Sequence, residues 1–281
     1  MRLDRNRIQR ACPGFLLFAL AILAGGVGPQ LLPAAWAQRT RGNARNQAKA
    51  AARPAPASRG IPMPFRVGES LRYQVGWSRF SDAASVQLSI PEKRSLYGRD
   101  TWHYRAAIHT VSPVRTLFTI DDQFDSYTDV STLETRQYEM YISEMGHKET
   151  HILHFMPDGQ KSRAPGPFFI VPAGARDALG ELYALRGVDW QHNDESRAVV
   201  SDGRDIYDVD ARLESAKESI AVPAGTFNAW RVAVHVTQEG KTSNTLQFKV
   251  WFAHDAARTP VLIQADLPFG SLHVELTSKA R

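Results

Sequence analysis

Apolar and polar residues alternate along most of this chain in short runs broken by Gly and Pro. Leu71, Tyr73, Val75 and Trp77 alternate with Arg72, Gln74 and Gly76, the two-residue period of a strand with one buried face. Val86, Leu88 and Ile90 repeat the pattern, Tyr97-Gly98-Arg99-Asp100 turns the chain, and Trp102, Tyr104, Ala106 and Ile108 form a third such face. Ser112 to Ile120 fits a short helix or a bend, after which strands are predicted over Gln123–Val130, Thr135–Ile142 and Glu149–Met156. Pro157-Asp158-Gly159 predicts a turn, because Pro presets φ and Gly accepts φ > 0. That turn would close a hairpin whose second arm leads to Phe168-Phe169-Ile170-Val171. Tyr207, Val209, Ala211 and Leu213 resume the alternation and run through Ile220 into the turn Val222-Pro223-Ala224-Gly225-Thr226-Phe227. The last third, Val222 to Leu276, is the most regular stretch, with Trp230–Val234 and Phe248–Phe252 among about four strands joined by short connections. Glu239-Gly240-Lys241 is the predicted tip of a hairpin joining Phe227–Val236 to Leu246–Trp251.

One segment departs from this period. Between Ala175 and Gly187, residues Ala178, Leu179, Leu182, Tyr183 and Leu185 recur at helical spacing, while Arg176, Asp177, Glu181 and Arg186 fall mostly elsewhere around the helix. Asp177 suits the positive helix start and Gly187 its end. The expected fold is therefore mainly β: a curved antiparallel sheet, or an open β-barrel or half-barrel, with one amphipathic helix packed on or capping it. Such a helix is either a plug filling the core or a lid over a cavity, and a helix stripe ordinarily fills core. Asp189 to Arg197 is polar and expected to be a loop. No segment repeats at a fixed period, which excludes propellers and solenoids.

Charge and cysteine usage divide the chain. Arg2, Arg5, Arg7 and Arg10 precede an apolar run from Phe15 to Val27, and Ala35-Trp36-Ala37 places small residues before Gln38. This predicts a secretory signal over residues 1–37, cleaved after Ala37, and hence an exported, periplasmic protein. Gly25-Gly26, Gly28-Pro29 and Pro33 interrupt the run before the ~20 apolar residues of a spanning helix, so no retained transmembrane helix is expected. Residues 38–60 hold no large apolar residue and read as a disordered Ala/Arg/Pro tether. Residues 61–281 form one predicted β-rich domain. The chain is +5 overall, yet residues 61–281 hold 24 basic and 28 acidic residues, near −4. The basic excess thus lies in the signal and tether, which argues against a nucleic-acid partner. The single cysteine, Cys12, lies in the signal, so the mature chain has no thiol for disulfides, Cys-based zinc sites or nucleophilic catalysis.

Four stretches carry a family resemblance. They are Phe65-Arg66-Val67-Gly68-Glu69-Ser70-Leu71-Arg72-Tyr73-Gln74-Val75-Gly76-Trp77, then Ala175 to Arg186, then Val222 to Phe227, and finally Trp251-Phe252-Ala253-His254-Asp255 followed by Arg258-Thr259-Pro260-Val261. In order and spacing they resemble the DUF3108 family, over roughly Phe65 to Leu276. The resemblance implies an exported, β-rich protein of the bacterial envelope and supplies no catalytic residues.

The candidate chemistry is sparse. His147, His151 and His154 are possible metal ligands, but on a strand His147 and His151 lie about 13 Å apart and His154 faces the other way. Asp121, Asp122, Asp125 and Asp129 could hold calcium or supply paired carboxylates, yet the cluster has no Gly turn of the kind calcium loops use. Tyr73, Trp77, Trp102 and Tyr104 fall on inward faces, where they either fill core or line an apolar ligand cavity. No nucleophile elbow or phosphate loop is present. No catalytic, cofactor-binding or metal residue is assigned, and no cofactor is expected. The expected function is a non-enzymatic envelope protein that binds a lipid or other apolar ligand in a β-sheet cavity, or an envelope-assembly partner. The alternatives are a carboxylate-based envelope glycan hydrolase and a purely structural assembly protein.

Overall fold

The computed structural model describes residues 61–281 apart from 79, 158–167, 204, 239–244, 268–269 and 281. The predicted signal and tether, and the turn tips at Asp158-Gly159 and Glu239-Gly240-Lys241, lie outside the described residues.

The alternating runs become one sheet of thirteen strands: β1 (Ser70–Trp77), β2 (Phe80–Leu96), β3 (Arg99–Thr110), β4 (Asp121–Asp129), β5 (Thr135–Glu144), β6 (His147–Pro157), β7 (Phe169–Val171), β8 (Glu195–Ser201), β9 (Ile206–Val222), β10 (Gly225–Gln238), β11 (Thr245–Ala253), β12 (Pro260–Leu267) and β13 (Gly270–Ala280). Two helices interrupt it, α1 (Val114–Leu117) in the ambiguous stretch and α2 (Ala178–Gly187) where the helical period was read. The sheet order is β7-β6-β5-β4-β3-β2-β1-β13-β12-β11-β10-β9-β8. Each half of the chain is thus a meander, and the halves join where β1 pairs antiparallel with β13. Alternation sets the inner face: Leu71, Tyr73 and Val75 on β1, then Trp102, Tyr104, Ala106 and Ile108 on β3, are all buried. Trp77, at the end of β1, is only half-buried.

The β8 edge of the sheet approaches the start of β5 through the segment before α2. The Thr135 amide donates to the Ala175 carbonyl at 3.2 Å, the Arg176 amide to Val199 at 3.0 Å, and the Ser201 amide to Arg176 at 2.8 Å. These bonds tie β5 to β8 through Ala175-Arg176 and leave the sheet a nearly closed barrel.

Three sequence expectations change. β7 pairs with β6 in parallel, Phe155 opposite Phe169, so Pro157-Asp158-Gly159 does not close a hairpin onto it. A parallel neighbour requires a connection of about a dozen residues, and residues 158–168 provide that length where a two-residue turn could not. The polar stretch after Asp189 is loop only to Asp194, because β8 begins at Glu195 and finds its partner in β9. Finally, every residue from Ala178 to Arg186 is buried, Glu181 and Arg186 included. The helix has no solvated face because the curled sheet surrounds it.

Candidate functional site

Three charged residues around α2, Asp177, Glu181 and Arg186, are buried and each is held by a partner, although the Arg186 Nε has none among the described residues. Asp177 caps the helix: its Oδ1 accepts the Gly180 amide at 2.9 Å, and its Oδ2 accepts Ser126 Oγ at 2.5 Å and Thr135 Oγ1 at 2.6 Å. Burial pushes this carboxyl up from its ordinary value, against the pull of those hydrogen bonds. Glu181 is likewise raised by burial, opposed by the Arg176 guanidinium at 2.7 Å. Arg186 grips Glu69 with two bonds of 2.7 and 3.0 Å and donates a third to the Ala257 carbonyl at 3.1 Å. Both side chains are almost fully buried, at 1% and 6% exposure. Tyr183 stacks on Tyr104 with centroids 3.9 Å apart, and Phe65 meets Tyr183, Tyr104 and Trp102 edge-on.

The first two stretches behind the family resemblance form and hold the helix inside the barrel, while the last two fix turns of the sheet. Phe65 and Glu69 come from the first stretch and Asp177, Gly180, Glu181, Tyr183 and Arg186 from the second. In the third, the Ala224 amide donates to the Leu276 carbonyl at 2.9 Å and seats the β9–β10 turn on β13. In the fourth, Asp255 accepts from the Thr259 amide, the Thr259 hydroxyl and Lys279 at 2.9, 2.7 and 2.8 Å, which closes the β11–β12 turn.

Between α2 and the facing strands the described interior is closely packed. The space between α2 and the sheet, bounded by Tyr73, Leu88, Phe124, Leu179, Leu182 and Ile263, is about 30 Å³. That is room on the order of one or two waters, so the inward aromatics Tyr73 and Tyr104 are core and do not enclose a lipid-sized cavity at this place.

A larger space opens on the outside, where the chain enters the fold. A groove of about 740 Å³ runs between Ile61–Val67 and the β2–β3 turn, within the range of ligand sites. Its accessible apolar side is Ile61, Pro62, Met63 and Val67, laid over the buried Phe65, Trp102 and Val130, and Arg66, Lys93 and Arg94 make much of the rest of its surface polar. The segment is anchored by the Ile61 amide, which donates to Val130 at 2.8 Å, and by Phe65, which is buried among the aromatics. The Lys93 ammonium lies 3.7 Å from the centre of the Trp102 ring. Trp102 is 5% exposed, and its indole N–H has no hydrogen-bond partner. Sequence reasoning placed Trp102 on an inner face but missed the groove, because Ile61–Val67 meets β2 and β3 only through folding.

The predicted acidic cluster is dispersed. Asp121, Asp125 and Asp129 share one face of β4 at four-residue intervals, about 13 Å apart by strand rise, and Asp122 points the other way. Asp121 is held at about 2 by hydrogen bonds from Arg115 and then His109. Burial raises Asp125, but hydrogen bonds from His103 at 2.6 Å, Arg105 at 2.7 Å and Gln123 at 2.6 Å hold it below its ordinary value. Asp129 accepts the Ser131 amide and hydroxyl and shapes the turn into β5. His147 and His151 both bond to Glu149, at 2.6 and 2.9 Å, while His154 lies on the opposite face against Tyr97. Among the described residues no three His, Cys, Asp or Glu converge as a metal site, and no helix is long and apolar enough to cross a membrane.

The fold has relatives among solved structures. A β-barrel-like protein of the DUF1849 domain of unknown function from Brucella abortus is similar at TM-score 0.51 and 11% identity, over 76% of this chain and 97% of its own. A candidate lipoprotein from Parabacteroides distasonis matches at TM-score 0.37 and 12% identity, over 79% of this chain and 99% of its own. A candidate exported protein with a YmcC-like fold from Bacteroides fragilis matches at TM-score 0.35 and 10% identity, over 79% of this chain and all of its own. The first supports a barrel-like fold and nothing finer. No curated protein matches the chain. The model of the DUF3108 family, described as a protein of unknown function, matches residues 72–277. That span takes in β1 to β13, the α2 plug and most of the residues that hold it, so the chain belongs to the DUF3108 family.

Proposed function

We propose that this is an exported, non-catalytic envelope protein that holds an amphiphilic envelope molecule, a lipid, in the groove between Ile61–Val67 and the β2–β3 turn. The observation that carries this reading is the groove itself: about 740 Å³ with an apolar wall and a polar rim, beside a barrel interior whose cavity at α2 is about 30 Å³. A lipid chain gains by leaving water along such a wall, at roughly 25 cal/mol per Å² of apolar surface buried. Export rests on the basic start, the apolar run and the Ala35-Trp36-Ala37 site of residues 1–37. The glycan-hydrolase alternative needs two carboxyls facing one bond with one pKa raised. Asp121 and Asp125 are instead held low by their own partners, Asp129 is occupied in a turn, and Asp122, whose carboxyl burial raises, is 1% exposed and out of a glycan's reach.

The test is native mass spectrometry of the protein purified from the periplasm, together with binding of a fluorescent fatty acid in vitro. Lipid-mass adducts that disappear when the exposed Ile61 and Val67 are replaced by Asp and Lys support the reading. A bare protein mass combined with no uptake of the fatty acid would overturn it.

A further inference from the structure

Resting on that reading, we infer that the molecule held in the groove is acidic: an amphiphile whose phosphate or carboxylate is met by Arg66, Lys93 and Arg94. Residues 61–281 are near −4, yet the groove lining brings together three cations and one acid, Asp100. A local excess of positive charge on an acidic fold marks where an anion is drawn in.

These cations are also poorly engaged within the protein. No described residue pairs with the Arg66 side chain, and the partner of Lys93 is the face of Trp102 at 3.7 Å. Arg94 lies 3.8 Å from Glu92, with both side chains about half exposed, and 5.3 Å from the Tyr127 ring centre. The nearby Arg99 differs, because it is committed to Asp129 at 3.3 Å. An anionic oxygen at the rim would give Arg66 and Lys93 a common partner, while the attached chain lay along Ile61, Met63 and Val67.

The occupant is not the chain's own preceding segment. Residues 38–60 carry six Lys or Arg, no acid and no large apolar residue. They would be repelled by the rim and could bury nothing on the wall.

The experiment compares three probes on the exported chain by calorimetry and tryptophan fluorescence, each below its micelle concentration: dihexanoyl phosphatidylglycerol, dihexanoyl phosphatidylcholine and glycerol phosphate. Phosphatidylglycerol is expected to bind at least tenfold tighter than phosphatidylcholine, about 1.4 kcal/mol. The preference should shrink as salt is raised and the charges are screened. It should vanish in Arg66→Glu/Lys93→Glu, two exposed positions, with phosphatidylcholine binding retained. Trp102→Phe should remove the fluorescence change. Equal binding of the two lipids overturns the acidic specificity and leaves the groove reading standing. Binding of neither overturns both. Glycerol phosphate binding as tightly as phosphatidylglycerol overturns the amphiphile and leaves a site for a free anion.

Discussion

Gly180 shows how little space surrounds α2. A Cβ there would stand 2.9 Å from Thr128 Cγ2 and 3.2 Å from both Asp177 Oδ2 and Thr135 Oγ1, all short, buried groups that cannot swing away. Gly180→Ala gains about 1 kcal/mol of helix propensity but overpacks a site where such insertions cost about 1–3 kcal/mol. We expect a net loss of about 1 kcal/mol in urea unfolding, and a variant more stable than the parent would show that the plug is loosely seated. Glu144 carries the pH dependence. Burial, followed by repulsion from Asp122, raises its pKa to about 7, well above its ordinary value. A raised carboxyl pKa means that the folded state holds the proton more tightly than the unfolded chain. The stabilisation is therefore fully present below the unfolded pKa near 4.3 and is lost as pH rises through about 7. The melting temperature should fall between pH 5 and 8, and Glu144→Gln should flatten that slope. An unchanged slope would place the titration elsewhere.

Among the elements, α2 depends most on a single pair. Arg186→Met would strand the Glu69 carboxylate, buried with its only strong partner gone, and should cost about 3–5 kcal/mol. Adding Glu69→Gln should restore part of that loss, because the uncompensated charge goes. Chemical denaturation of the two single variants and the double variant measures the coupling, and additive losses would mean that the pair is not coupled. Most strands were legible because a sheet with one buried face repeats every two residues, as Leu71-Tyr73-Val75 and Trp102-Tyr104-Ala106-Ile108 do. β7 was not: three residues carry no period, and its direction depends on the route of residues 158–168. The helix was legible as a helix, but the burial of Glu181 and Arg186 was not. A charge looks solvated until its partner, here Arg176 or Glu69, is known to be beside it.

Closure of the barrel depends on contacts between distant parts of the chain. Gly203, at φ +85°, faces Leu153 of β6, and a Cβ there would stand 2.3 Å from Leu153 Cδ1. Gly203→Ala therefore combines a left-handed backbone strain of about 1–2 kcal/mol with a clash across the gap between β6 and the β8–β9 turn. Faster hydrogen exchange in β6 and β8, with β12 and β13 unchanged, is the expected result. Uniform loss of protection would show that the barrel opens only as a whole.

By itself the sequence determined most of the strands and the helix, because periodicity is local and is written residue by residue. The tertiary structure alone decided that the helix lies inside the barrel, that Glu69 meets Arg186 across 117 positions, and that Ile61–Val67 joins β2 and β3 in a basic, apolar-walled groove. Those are pairings between residues far apart in the chain, and alternation says which face a side chain takes without saying what it will meet there.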